Sequence, residues 1–167
     1  MTDDTFERTG DAPGRCDPYA SIVFLDFDGV THREGAPERE WFARLPAIEE
    51  VLASFPSTLV VVSSTWRLRR SLEELKKPFQ PAIAARVIGV TPDLSDVMHH
   101  RRELECRAWL RVSAHPWTPW VAIDDRNWLF RPFCPELIST PWCGQGIEDA
   151  QLSLLTTRLV SFNGRPR

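Results

Sequence analysis

Ser21-Ile22-Val23-Phe24-Leu25-Asp26-Phe27-Asp28-Gly29-Val30 is the segment on which the fold turns. After Ser21 four apolar residues follow without a break, β-branched and aromatic side chains among them. A short run of this kind suits a strand buried on both faces of a parallel sheet. It stops at Asp26, and Asp28-Gly29 is a turn signal. Residues i and i+2 of an extended chain point to the same side. Two carboxylates at that spacing can therefore face one substrate at the strand's end.

The same signal recurs outward along the chain. Residues 58–63 (TLVVVS), 86–90 (RVIGV) and 120–123 (WVAI) read as strands, and Leu137 to Thr140 as a weaker fifth. Helical spacing fills the gaps. Glu38 to Ser54 carries Trp41, Phe42, Leu45, Ile48, Val51 and Leu52, with Pro46 expected to kink or break it. Leu68 to Lys77, ended by Pro78, a short Pro81 to Arg86 segment, Arg101 to Val112, and Ile147 to Leu159 complete the set, with a loop from Thr91 to Met98. Alternating strands and helices predict an α/β, Rossmann-like, three-layer fold: a five-stranded parallel sheet with helices on both faces. Crossovers should be right-handed, and ligands should bind outside the carboxyl ends of the strands.

Composition sets the frame around that core. With 167 residues, 43% hydrophobic and 26% charged, the chain suits one soluble domain and argues against wholesale disorder. The domain is expected over residues 20–162, between a polar tail at 1–19 and a short tail at 163–167. No apolar run of about 18 residues suggests a membrane span, and the acidic N-terminus has no secretory h-region. Cys16, Cys106, Cys134 and Cys143 form no C-x-x-C pair, and His32, His99, His100 and His115 do not complete a zinc pattern. The cysteines read as thiols of a cytoplasmic protein, with one disulfide left open. A net charge of -3 disfavours a nucleic-acid coat but leaves room for a local basic groove.

Chemistry should be sought where strands end. The first strand delivers Asp26 and Asp28; the second Ser63, Ser64, Thr65, Trp66 and Arg67; the fourth Asp124 and Asp125. His99, His100, Arg101 and Arg102 follow the third. Either acidic pair alone could be a turn or a loop cap. Both, each directly after an apolar strand, argue for a site. Crowded carboxylates repel and raise a pKa unless a cation intervenes. Oxygen-only ligands select a hard ion, and Mg²⁺ is the expected one. A carboxylate can attack phosphorus to form an aspartyl-phosphate, while a second one moves protons. The transferred group then needs a hydroxyl, a cation and a metal around it.

Three segments carry a resemblance. FLDFDGV (24–30) resembles the first motif of the haloacid dehalogenase (HAD) superfamily of phosphohydrolases, VVVSSTWR (60–67) the second, and WVAIDD (120–125) the acidic fourth. With Arg102-x-x-Glu105-x-x-x-Trp109-Leu110, the chain looks most like the small HAD domains of bacterial RNA-repair proteins, from about Ser21 to Leu159. The resemblance implies Asp26 as nucleophile and metal ligand, and Asp28 as general acid/base with its backbone carbonyl on the metal. It implies Ser64 as the phosphoryl-binding hydroxyl, with Ser63 as the other candidate, and Asp124 and Asp125 as metal ligands. The family's third motif supplies Lys, and this chain has none beyond Lys77. Arg102 is the substitute, with Arg101 one residue away as the alternative; either could instead lie on a solvated helix face. Arginine cannot give up a proton at neutral pH, but its charge and fork suit a phosphate.

Other residues stay open between two roles. Thr65 and Arg67 are candidate substrate contacts, and Arg67 could instead pair with a site carboxylate or sit at the surface. Trp66 reads as packing or as a base-stacking platform. His32 could line the entrance; His99 and His100 read as loop residues. Trp41, Trp109 and Trp120 fall on core elements, while Trp117, Trp128 and Trp142 lie near loops where they could form an aromatic rim. A receiver domain would place its acidic pair first and its phosphorylated Asp later, the reverse of this order. A dinucleotide fold would need G-x-G-x-x-G after the first strand. The remaining alternative is an HAD-like module that binds phosphate or a protein with little turnover. About 28 residues separate Val30 from the second strand, which leaves no room for a substantial cap. An open site suits a phosphate ester on a large substrate, such as a polynucleotide end. Oligomeric state is not written in the sequence.

Overall fold

The computed structural model describes residues 20–163; the tail expected at 1–19, and residues 164–167 of the one expected at 163–167, lie outside the described residues. Five strands, β1 (Ser21–Leu25), β2 (Thr58–Val62), β3 (Val87–Val90), β4 (Trp120–Asp124) and β5 (Leu137–Ser139), form one parallel sheet in the order β3-β2-β1-β4-β5. Helices α1 (Leu45–Ala53), α2 (Leu72–Lys76), α3 (Pro81–Ala84), α4 (Arg101–Ser113) and α5 (Asp149–Asn163) connect and cover it. β1 takes the centre because it is apolar on both faces. Val23 and Leu25 pack into a core with Leu45, Ile48 and Leu52 of α1, Leu75 of α2, Ile83 of α3, and Leu155 and Leu159 of α5. Ile22 and Phe24 point the other way, onto Cys106, Trp109 and Leu110 of α4. Phe24 meets Trp109 and Trp120 edge-on, at ring-centroid distances of 5.9 and 5.5 Å. Burial of each such side chain contributes about 1.5–3 kcal/mol. The three layers and the parallel sheet are those the alternation predicts.

Several boundaries differ from expectation. Pro46 does not kink a long helix; it opens α1, where its missing N–H would have had no partner. The chain before it, Glu38–Glu40, is a single 3₁₀ turn. The helix expected from Leu68 begins only at Leu72, because Ser71 and Glu74 form a reciprocal capping box that fixes the start. Asn163, expected in a tail, is the last residue of α5, and its amide donates to Ser21 Oγ (3.0 Å) and Thr58 Oγ1 (3.3 Å).

From β1 the chain moves to β2 and β3 on one side, then crosses back to β4 on the other. The order therefore reverses between β1 and β4. That crevice sets the carboxyl end of β1 beside that of β4, which is where parallel sheets bind ligands. Segment 31–57 holds one 3₁₀ turn and α1, so no inserted domain covers the site there. No helix among the described residues is long and apolar enough to cross a membrane.

Candidate active site

Strand parity builds the charged half of the site. Phe24 and Ala122 face α4, so the residues two further on, Asp26 and Asp124, are carried to the same side. Arg102, in the first turn of α4, meets them there. Its Nη1 donates to Asp124 Oδ2 at 2.8 Å and lies 3.5 Å from Asp26 Oδ2, while Nε is 3.5 Å from Glu105 Oε2. Arg102 is only 2% exposed. The solvated-face alternative thus fails for Arg102. Arg101 is half-buried and makes no ion pair among the described residues, so of the two candidates only Arg102 joins the carboxylates.

Asp26 Oδ1 also accepts from Phe27 N–H (2.8 Å), and Asp124 Oδ1 from Arg126 N–H (2.8 Å). Asp26, Asp124 and Asp125, all buried, each offer one oxygen, and these three oxygens lie within 4.8 Å of one another. Both Asp125 oxygens are buried without a hydrogen-bond partner among the described residues. Burial and then the neighbouring Asp26 push the Asp125 carboxyl up to about 6. Burial likewise raises Asp124, against the pull of Arg102. Buried Arg102, with Arg126 Nε at a longer 3.9 Å from Asp125 Oδ1, leaves negative charge and free lone pairs on three buried carboxylates, which fits a hard divalent cation. Gly29 makes the close approach possible. Its φ is +74°, and a Cβ there would sit 2.3 Å from Asp125 Oδ2.

Asp28 stands apart from that cluster. Its carboxylate, 30% exposed, receives the indole N–H of Trp66 on Oδ2 (2.8 Å) and faces His32 Nε2 across 3.2 Å on Oδ1. His32 is buried, with Nδ1 2.9 Å from Thr31 Oγ1, whose hydroxyl donates to Phe27 O (3.0 Å). Phe42 N–H donates to the same Nδ1 (3.4 Å), so Nε2 is the ring nitrogen that donates to Asp28 Oδ1. The hydrogen bond from His32, ahead of the opposing burial and the bond from Trp66, holds the Asp28 carboxyl below its usual range. His32 thus braces Asp28 rather than merely lining an entrance. Trp66 both packs edge-on against Phe27 at 5.6 Å and binds the carboxylate.

The second strand's residues divide. Ser63 N–H pairs with Leu25 O (3.0 Å), and Ser63 Oγ is buried with no hydrogen-bond partner among the described residues. Ser64 Oγ receives a long 3.4 Å bond from Trp66 N–H as the cap of the turn Thr65–Leu68. Strand alternation from Val61 carries Ser63 toward the α4 side, where Asp26 lies. Thr65 is exposed at the mouth. Arg67 is not a free phosphate contact. Its guanidinium donates to the carbonyls of Thr91, Ser63, Ser64 and Pro92 and lies 2.8 Å from Glu105 Oε2, so it fixes the loops instead.

A pocket of about 500 Å³ opens beside Asp28, lined by Trp41, Trp66, Thr65, Arg69 and Arg70 among others. Trp41, expected as core packing, is half-buried here, its ring centroid 4.8 Å from that of Trp66. Trp109 and Trp120 are buried as expected. Trp128 and Trp142 are exposed and meet edge-on at 4.9 Å. Trp117 instead stacks on His115 just before β4, at the opposite end of the strands, and belongs to no rim. His100 bonds to Phe130 O (3.0 Å). Cys106, Cys134 and Cys143 are free thiols; Cys16 lies outside the described residues. Sequence reasoning missed the roles of Arg70 and of the ion pair from Arg126 Nη2 to Glu34 Oε1 (2.7 Å), which ties the loop after β1 to the loop after β4. Only the spacing of Asp28 and His32, four residues apart, signalled a contact.

The chain belongs to the family described as the HAD domain in Swiss Army Knife RNA repair proteins, whose model matches residues 22–152. No curated protein and no solved structure matches it.

Proposed function

From that family membership we propose that the chain is a Mg²⁺-dependent phosphohydrolase that works through an aspartyl-phosphate, acting on phosphate at a nucleic-acid end. The observation that carries this reading is the trio Asp26, Asp124 and Asp125, with no hydrogen bond to either Asp125 oxygen among the described residues and Arg102 buried among them. Asp124, Asp125 and Asp26 would hold the ion. When bound, it would offset their charge and draw the phosphoryl oxygens toward them.

Each remaining step belongs to this chain's own groups. Asp26 attacks phosphorus through a carboxylate oxygen, and the bond from phosphorus to the ester oxygen breaks. Asp28 gives that leaving oxygen its proton. Asp28 then takes a proton from water as the water attacks phosphorus, which releases phosphate and restores Asp26. Arg102 orients Asp26 and exchanges no proton. A hydroxyl of Ser63 or Ser64 donates to a phosphoryl oxygen. The open crevice admits a large substrate.

The test is phosphate release from an aryl phosphate and from phosphorylated oligonucleotides, with Mg²⁺ or with EDTA. Release that needs Mg²⁺ and is lost in Asp26→Asn is expected. Turnover that survives Asp26→Asn removes Asp26 as nucleophile. Absence of turnover on every ester, with tight phosphate capture, would favour a binding module.

A further inference from the structure

We propose that the pocket formed by Trp41, Trp66 and Arg70 is a nucleobase subsite, which receives the base of the nucleotide whose phosphate lies at Asp26. This rests on the phosphohydrolase reading above and names what holds the substrate beyond its phosphate.

Three observations converge. First, the walls are flat aromatic surfaces: Trp41 and Trp66 meet at 68° with centroids 4.8 Å apart. Second, the mouth is cationic although the reacting centre is acidic. The Arg70 guanidinium lies 4.3 Å from the Trp66 centroid and 5.7 Å from that of Trp41, Arg69 lies beside it, and neither arginine has an ion-pair partner among the described residues. An exposed arginine held over indoles keeps its N–H groups for an anion or a base edge, and its plane for stacking. Third, the pocket reaches the chemistry. The indole that forms its wall donates to Asp28 Oδ2 at 2.8 Å, and Asp28 itself lines the pocket. A group bound there is one residue's reach from the leaving oxygen.

A volume of about 500 Å³ suits one base with its sugar rather than the face of a duplex. Stacking on aromatic faces, with arginines for the backbone, is how single strands are held without sequence readout. A small aliphatic phosphate would leave the walls bare. A phosphotyrosyl peptide would offer a ring but no second phosphate for Arg69 and Arg70.

The decisive comparison needs no mutation. Two oligonucleotides carry the same terminal phosphate, one with its terminal base and one abasic at that sugar. The full chain should show a kcat/KM roughly 10- to 100-fold higher for the base-bearing strand. Trp41→Ala and Arg70→Gln should each shrink that ratio toward one. Equal rates on the two strands in the native chain would overturn the subsite while leaving the phosphohydrolase reading intact. So would preference for a phosphotyrosyl peptide over both strands. If nothing is turned over, the hydrolase reading fails separately. Quenching of indole fluorescence in Asp26→Asn still decides the subsite: tighter binding of the base-bearing strand supports it, and equal binding overturns it.

Discussion

Replacing Arg102 by methionine tests the electrostatic design of the site most directly. The side chain is buried and serves Asp124 at 2.8 Å and both Asp26 and Glu105 at 3.5 Å. Methionine keeps much of the stem and removes the charge. Glu105 retains Arg67 at 2.8 Å, but Asp26 and Asp124 lose their only buried cation among the described residues. Breaking one side of a buried pair costs about 3–5 kcal/mol, because the abandoned charge stays desolvated. For a chain of this size that is a fall in Tm of roughly 6–20 °C. Melts followed by circular dichroism in EDTA read it, with Arg101→Met as the control. Arg101 makes no ion pair among the described residues, so its loss should stay within about 0.5 kcal/mol. Arg102→Lys should fall between the two, since it keeps a charge without the fork. Mg²⁺ should restore more stability to Arg102→Met than to the native chain. Equal melting of Arg102→Met and Arg101→Met in EDTA would refute the reasoning, because no buried network would then depend on Arg102.

Three further outcomes follow from the same geometry. Asp125 rises from 3.8 to about 6 in the folded chain, so its ionisation opposes folding by about 3 kcal/mol at neutral pH, and that penalty vanishes as pH falls below both values. The rise in Tm on adding Mg²⁺ should therefore be larger at pH 7.5 than at pH 5; equal increments would count against Asp125 as a ligand. Gly29→Ala forces a Cβ to within 2.3 Å of Asp125 Oδ2 at a positive φ, and should cost about 1–2 kcal/mol from backbone strain alone and blunt the Mg²⁺-induced shift in calorimetry. Trp66→Phe removes one of the bonds that lower Asp28, so the limb of the pH–rate profile set by Asp28 should move to higher pH; an unmoved limb would mean that the indole does not tune it.

The sheet and the acidic pairs were legible because both follow from periodicity. Apolar runs of four or five residues declare buried strands, and an Asp directly after each run must lie at the strand's end. The helix expected from Leu68 runs too long, because helical spacing alone does not mark the start that the Ser71–Glu74 capping box sets. Arg102 rested on a resemblance, since nothing in its sequence neighbourhood separates it from Arg101. Only the rotation of α4 does so, turning Arg102 inward. The bond from Trp66 to Asp28 joins residues 38 apart and depends on how two loops fold onto one another. No local pattern encodes such a meeting. Arg67 misled for a related reason: an arginine at a strand end resembles a phosphate contact, but neighbouring carbonyls had already taken its donors.

The two carboxylates of Asp26-Phe27-Asp28 end in opposite environments, although two-residue spacing suggested a shared one. The strand stops at Leu25, and Phe27 turns into the core, so Asp26 stays with Arg102 while Asp28 is delivered to His32 and Trp66. Enzymes assign acid and base roles by separating the environments of paired groups in this way. The direction at Asp28 bears on the order of events. Bonds from His32 and Trp66 lower its pKa in the free chain, which leaves it in the ionised form that can accept a proton, though as a weaker base. Protonation of the leaving oxygen needs the opposite tendency. An anionic phosphate ester arriving beside Asp28 supplies it, because a nearby negative charge raises a carboxyl's pKa. Once phosphorus is bonded to Asp26, that carboxylate's own charge is gone and the push weakens. In the proposed mechanism Asp28 would thus serve as acid and then as base without a change of partners, the charge on substrate and on Asp26 setting which role it takes.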